Sequence, residues 1–437
     1  PSLMATLDAQ GQSRIFNITD DASVTLKNIN FINGKNTDDG GAIYSKGNVT
    51  VINSNFTNTT TEGKGGSIYG NRVTAINSNF TNTTAIDTSG YGGIGGAISG
   101  DNITVINYSF TNTKAGYDAG AIRGENIITV TNSTFKDISS YYGGAIGMAG
   151  GSLIVKNSTF TNITSGKWGA ISSDEVTVIG STFKDTTTTN GEGGAIYGNN
   201  INVTNSNFTN TKATNDNDGD GGAIYVTGNL TVNNCIFVNN TGNIGGAIGG
   251  EPDIVTVINS TFEDNNATHW GGAIGFKEYG DLIVINSTFT DNTAVGAGAI
   301  FATKAHVSNS DFTGNTAQMG GSIAAMNLTV ENSNFINNTA NQGSELYAPN
   351  LNLSNSKFID MNSTSHEIIY LTNGTVFLDN NTITSNILPM YNNNLQGFAV
   401  FTSPIYLTFD NITVKEGENA TLTAVLTDDN GNIIGTN

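Results

Sequence analysis

Apolar and polar residues alternate along this chain in short bursts. In Leu328-Thr329-Val330-Glu331-Asn332-Ser333-Asn334-Phe335, Leu328 and Val330 alternate with polar neighbours. A polar break follows at Asn332-Ser333, and a second strand starts with Phe335 turned inward. Variations on this phrase, V-x-N-S-x-F followed by T-N-x-T and G-G-A-I, run from Asn28 almost to Asn386. Phenylalanine recurs as Phe31, Phe56, Phe80, Phe110, Phe135, Phe160, Phe183, Phe208, Phe237, Phe262, Phe289, Phe312, Phe335 and Phe358, mostly at intervals of 23 to 25 residues. Ile383 takes a fifteenth place. A second apolar column, from Ile43 and Ile68 to Ile323 and Leu346, follows the glycines with the same period.

One such repeat cannot bury its own apolar face, but stacking each coil on the last aligns Phe on Phe and Ile on Ile. The pattern predicts an all-β protein, a right-handed parallel β-helix of about 14 to 15 coils of roughly 24 residues. At a strand spacing of ~4.8 Å such a stack is roughly 70 Å long. This repeat domain is expected over 1–395. From 396 to 437 the phrase stops, and runs such as Ile405-Tyr406-Leu407-Thr408-Phe409 predict a linker and the truncated start of an Ig-like β-sandwich.

Three local features fit that geometry. Gly-Gly-Ala, as at Gly40-Gly41-Ala42 and Gly271-Gly272-Ala273, suits a corner where the backbone needs positive φ and coils crowd together. Asparagine at the polar break (Asn53, Asn107, Asn157, Asn259, Asn332) tolerates left-handed backbone and can form a side-chain ladder, with Gly180 as the one replacement. Cys235 falls where other coils carry serine, and reads as a small inward filler.

The chain of 437 residues carries 54 glycines, and 17 Lys and Arg against 36 Asp and Glu give a net charge of −19. That balance argues against nucleic acid as a partner. The single cysteine excludes an internal disulfide framework. No apolar run approaches the ~20 residues of a membrane span, so no membrane insertion is expected, and the absence of a leader before the repeats reads as an excised piece of a longer protein. A monomer is expected.

With these residues in view, the chain resembles the polymorphic-membrane-protein type of β-helix repeat, defined by paired GGA-I and F-x-x-N motifs. Such repeats occur in bacterial surface proteins and in adhesin-like surface proteins of methanogenic archaea. GGA-I is strong here, and strict F-x-x-N stands in the later coils, at Phe237/Asn240, Phe262/Asn265, Phe289/Asn292, Phe312/Asn315 and Phe335/Asn338. The stretch from Ile412 through Asn432 is similar to the Ig-like repeats that follow such β-helices in the archaeal group. The resemblance implies an extracellular, cell-surface location, with signal and anchor outside this sequence.

Polysaccharide lyases and hydrolases also use parallel β-helices, and such an enzyme would place paired acids in adjacent coils. The position two after each Phe supplies Asp137, Asp185, Asp264, Asp291 and Asp360, of which Asp264 and Asp291 occupy consecutive coils, about 5 Å apart, the separation of a retaining pair. Other coils carry Asn there, which is what a turn requires. The three arginines (Arg14, Arg72, Arg123) and three histidines (His269, His306, His366) hold unrelated repeat positions. Asp216, Asp218 and Asp220 alternate before glycine as in a partial calcium loop, without the downstream glutamate. Trp168, Trp270, Tyr91, Tyr142 and Tyr197 near the glycine corner are candidates for stacking on sugars. Asn-x-Ser/Thr triplets, as at Asn17, Asn48, Asn102, Asn229, Asn373 and Asn411, fit a glycosylated surface.

The expectation is therefore a non-catalytic, adhesin-like surface protein that presents a rigid β-helix to a cell-surface protein or carbohydrate ligand, with no cofactor beyond a calcium ion at Asp216, Asp218 and Asp220. A carbohydrate-active enzyme using Asp264 and Asp291 is the first alternative, and a purely structural envelope spacer the second.

Overall fold

The computed structural model describes residues 4–392 apart from 89, 91, 216–218, 278–279, 362–366, 373–375 and 386, together with Ile405–Phe409, Ile412–Val414 and Val425–Thr427. Among these the chain is all-β, a parallel solenoid of about 15 turns. It divides into two compact units, Pro1–Val226 and Thr227–Asn437.

A coil of unit 1 shows how the phrase folds. Ile98–Ile106 is a nine-residue strand whose register shifts between Gly100 and Asn102, so one strand makes two flat segments. Asn107 then turns the chain with φ 60°, Ser109–Thr111 forms a short strand carrying Phe110, and Asn112 turns it again with φ 53°. Lys114–Ala115 follows before the next glycine corner. In both units, successive coils pair in parallel with like residues in register, for example Phe80 with Phe110 and Phe262 with Phe289.

Left-handed backbone is disfavoured for most side chains but accessible to Asn, Asp and Gly, so the repeat places those residues at both turns. The polar-break column from Asn28 to Asn380 has φ between 46° and 60°, and Gly180 holds the same conformation at 59°. At the glycine corner Gly40, Gly193 and Gly271 have φ of 73°, 64° and 66°. The second glycine serves close approach instead: a Cβ on Gly41 would lie 2.3 Å from the Gly66 carbonyl oxygen of the next coil.

Every phenylalanine of the main column is fully buried. In unit 1 the rings stack from Phe31 to Phe208 with centroids 4.6 to 5.1 Å apart, and in unit 2 from Phe237 to Phe358 at 4.7 to 5.0 Å. The strand spacing imposes this separation, which falls within the offset-stacked range for aromatic pairs. A serine ladder lines the adjoining position. Along most of the ladder the serine N–H donates to the next coil's hydroxyl, as Ser54 does to Ser78 Oγ at 2.8 Å, and the hydroxyl donates to the carbonyl two residues back. Tyr108 interrupts it, and the Ser356 N–H donates to Asn381 Oδ1. Cys235 takes the same place, with its N–H on Ser260 Oγ and its thiol on the Asn233 carbonyl, so it is a buried structural filler.

The three C-terminal strands described add antiparallel to the last coil. Ile405–Phe409 pairs with Asn381–Ser385, Ile412–Val414 with Val376–Asp379, and Val425–Thr427 with Ile405–Phe409. They cover open sheet edges, which would otherwise present unpaired backbone. The remainder of the expected Ig-like segment lies outside the described residues.

Candidate functional site

The column two residues after phenylalanine is a turn column. Asp137, Asp185, Asp264 and Asp291 have φ of 57°, 54°, 54° and 53°, matching Asn58, Asn82, Asn162, Asn210 and Asn337, and Gly314 holds 68°. The side chains of Asp137 and Asp185 join a ladder, with Asn162 Nδ2 donating to Asp137 Oδ1 at 2.7 Å and Asn210 Nδ2 donating to Asp185 Oδ1. Asp264 and Asp291 do lie in adjacent coils in register, both exposed. All three arginines belong to residues 1–226, whereas these acids belong to unit 2.

Asp360 departs from the expected column. It lies within the strand Lys357–Asp360, has no left-handed backbone, and is fully buried, accepting a short hydrogen bond from Ser344 Oγ. At this coil the third position after Phe358 is Met361, where the preceding coils carry asparagine.

That asparagine column runs through the interior of unit 2. Asn240, Asn265, Asn292, Asn315 and Asn338 are buried, and each Nδ2 from Asn240 to Asn315 donates to the next Oδ1 at 2.8 to 2.9 Å. In unit 1 the same position holds Thr59, Thr83, Thr113, Ile138, Ile163, Thr186 and Thr211, also buried. The ladder ends on Glu345, a carboxyl where other coils place the alanine of Gly-Gly-Ala or, at Ser67 and Ser322, a serine. Glu345 accepts from Asn338 Nδ2 at 2.5 Å and from Ser322 Oγ at 3.0 Å. Complete burial, then the nearby charge of Asp360, pushes its carboxyl up to about 8. The substitution of Glu for Ala in Gly343-Ser344-Glu345 was the available signal, and sequence reasoning passed over it.

Of the calcium triad, Asp216 and Asp218 lie outside the described residues. Asp220 is buried, and its carbonyl accepts the Gly193 N–H at 3.0 Å. Among the described residues no group of three or more His, Cys, Asp or Glu converges to hold a metal ion. Asn17, Asn48 and Asn229 are exposed, whereas Asn373 and Asn411 lie outside the described residues.

Three of the aromatics singled out in the sequence do assemble. In unit 1 Tyr142 packs on Trp168 at 4.3 Å, Trp168 on Tyr197 at 5.8 Å, and Tyr197 on Tyr225 at 5.4 Å. Rings stacked in this way turn their faces toward one another and their edges toward solvent. Face-on stacking of a sugar needs an open ring face, and the interior of this ladder offers none. Trp270, in unit 2, stacks on Phe301 at 4.8 Å and lies across Gly296, where a Cβ would be 2.1 Å from the indole. Tyr91 lies outside the described residues.

A groove that the sequence did not single out crosses the outer face of unit 2, with a volume of about 480 Å³. The strands Asp281–Ile285, Ile300–Ser308, Ile323–Glu331, Asn350–Ser354 and Val376–Asp379 pair side by side and present their outward positions as rows. One row is Asp281, Lys304, Asn327 and Asn350; the other is Ile283, His306, Thr329, Asn352 and Phe377. Lys304 Nζ makes a short ion pair with Asp281, and Asn350 Nδ2 donates to Asn327 Oδ1 at 3.1 Å. Alternation along each strand hides which outward residues become neighbours, since they come from coils 23 to 25 residues apart.

Fold and surface together define a parallel β-solenoid with an outer groove lined by two rows of side chains and a column of left-handed turns filled by Asn, Asp and Gly. No family model and no curated protein matches the chain. Among solved structures, the PL6 family alginate lyase AlyGC is similar over 91% of this chain and 80% of its own, at 11% identity and a TM-score of 0.25. A likeness that slight carries no argument about activity or ligand.

Proposed function

We propose that this chain is a non-catalytic, adhesin-like protein of the cell exterior whose solenoid presents its outer faces to a carbohydrate or protein ligand. The observation that carries the reading is the use made of the surface acids. Asp264 and Asp291, the best candidates for a catalytic pair, hold left-handed turn positions that Asn and Gly fill in neighbouring coils, so backbone geometry accounts for them without chemistry. The carboxylate in the groove, Asp281, is ion-paired with Lys304 and has no second acid beside it among the lining residues. A glycosidase needs two carboxyl groups about 5 to 9.5 Å apart across a bond.

The test is a binding screen of the purified protein on glycan and polysaccharide arrays, with and without a calcium chelator, in which every ligand found is then checked for chain length. Saturable binding without shortening is expected. Shortened chains would overturn the non-catalytic reading and make Asp264 and Asp291 the first residues to replace. No binding to any array member would favour an envelope spacer instead.

A further inference from the structure

We propose that the outer groove of unit 2 binds an extended, uncharged polysaccharide lying across the strands, along the direction in which the coils stack. The proposal rests on the reading of the protein as a non-catalytic binder, and adds the site and the ligand class.

The argument begins with periodicity. Ile283, His306, Thr329, Asn352 and Phe377 follow one another strand by strand in register, so the row spans ~19 Å in steps of ~4.8 Å. A polymer whose units repeat at about that interval meets one side chain per unit. The row is apolar at its ends and polar in its middle. Ile283 and Phe377 give apolar surfaces at the ends, against which the C–H faces of sugar rings can lie. His306, Thr329 and Asn352 between them carry donors and acceptors, and no group among the described residues hydrogen-bonds their side chains, which leaves them for ligand hydroxyls.

Charge selects within carbohydrates. The groove's acid and its amine neutralise each other as Asp281 and Lys304, and the chain as a whole carries −19, so an acidic polysaccharide gains no local partner and meets long-range repulsion. The backbone selects against peptides. The lining strands are paired on both sides, in parallel except where Val376–Asp379 meets Ile412–Val414 antiparallel, so their edges are taken and cannot receive an added strand. Recognition here is by side chains alone.

The experiment is affinity electrophoresis of the full chain through gels containing galactomannan, xyloglucan, polygalacturonate or gelatin, followed by titration with the polymer that retards it. A neutral polysaccharide is expected to retard the protein, equally at low and high salt because no charge is engaged. Asn352→Ala and Phe377→Ala should each weaken binding about ten-fold, ~1.4 kcal/mol, and Thr329→Trp should abolish it by filling the row. Thr104→Trp, at an outward position of unit 1, should change nothing. Circular dichroism identifies any variant that fails to fold, and Asn352→Ala, at an exposed position, keeps the test decisive if Phe377→Ala does fail. Retardation by galactomannan or xyloglucan that survives all three groove substitutions overturns the site while leaving the binding function intact. Retardation by polygalacturonate or gelatin alone overturns the ligand class. Retardation by none of the four polymers overturns this proposal, whereas the function itself falls only if the wider arrays are also silent.

Discussion

Replacing Glu345 by glutamine should stabilise unit 2 at neutral and alkaline pH and leave it unchanged in acid. The carboxyl is completely buried among Asn338, Ser322 and Asp360, and is held protonated from its ordinary 4.5 up to about 8. Below pH 4.5 folded and unfolded chains both carry the proton, and the stability is full. Between 4.5 and 8 the unfolded chain releases its proton while the folded one keeps it, so stability falls as pH rises. Above 8 the loss levels off. At ~1.4 kcal/mol per pH unit the window is worth about 5 kcal/mol. Glutamine fills the same space, keeps through its one oxygen the hydrogen bonds from Asn338 Nδ2 and Ser322 Oγ while giving up the longer one from the Asn338 N–H, and cannot ionise. Solenoids do not unfold in one step, so the local readout is hydrogen exchange at Ser322 and Ile323, whose amides donate to the Glu345 carbonyl at 3.0 and 3.1 Å. Protection in the variant should exceed that of the parent increasingly from about pH 5 to about pH 8, with the two converging near pH 4. A gap of constant size across that range, or a less protected variant at pH 8, would refute the assignment of a buried neutral acid.

Further outcomes test the fold and the turn column. Asn292→Ala removes a side chain with two donated and two accepted buried hydrogen bonds and should cost roughly 2 to 4 kcal/mol in denaturant titration, whereas Asn292→Thr, which copies the residue used in unit 1, should cost less. Gly272→Ala should prevent soluble expression, because its Cβ would lie 2.1 Å from the Gly298 carbonyl oxygen and 2.6 Å from the Thr293 nitrogen, both backbone atoms. Gly314→Asn should be tolerated, since φ there is 68° and the group crowding it is the movable Asp291 side chain. Asp264→Asn should alter neither the melting temperature nor any glycan binding, while Asp264→Val should destabilise by about 1 to 2 kcal/mol through its left-handed backbone. Loss of a binding or cleaving activity in Asp264→Asn would restore the catalytic reading.

The repeat made much of this protein legible before any coordinates. A period read through Phe31 to Phe358 demands stacked coils, because no single coil can bury its own phenylalanine. The turn columns followed from which residues accept positive φ, so the roles of Asn53, Gly180, Gly40 and Cys235 were readable one position at a time. Local backbone chemistry and burial repeat identically in each coil, and a sequence records such repetition directly. What depends on neighbours in the next coil was not recorded in that way. Asp360 shares its spacing with Asp264 yet is buried within a strand instead of holding a turn. The charge state of Glu345 follows first from its complete burial between coils and then from Asp360, fifteen residues away in sequence. Tyr142, Trp168 and Tyr197 looked like separate sugar platforms and instead cover one another's faces. The groove exists only because outward residues as remote as Ile283 and Phe377 are brought into one row by parallel register. Strand alternation tells which side a residue faces, but only the stacking of coils decides what stands beside it.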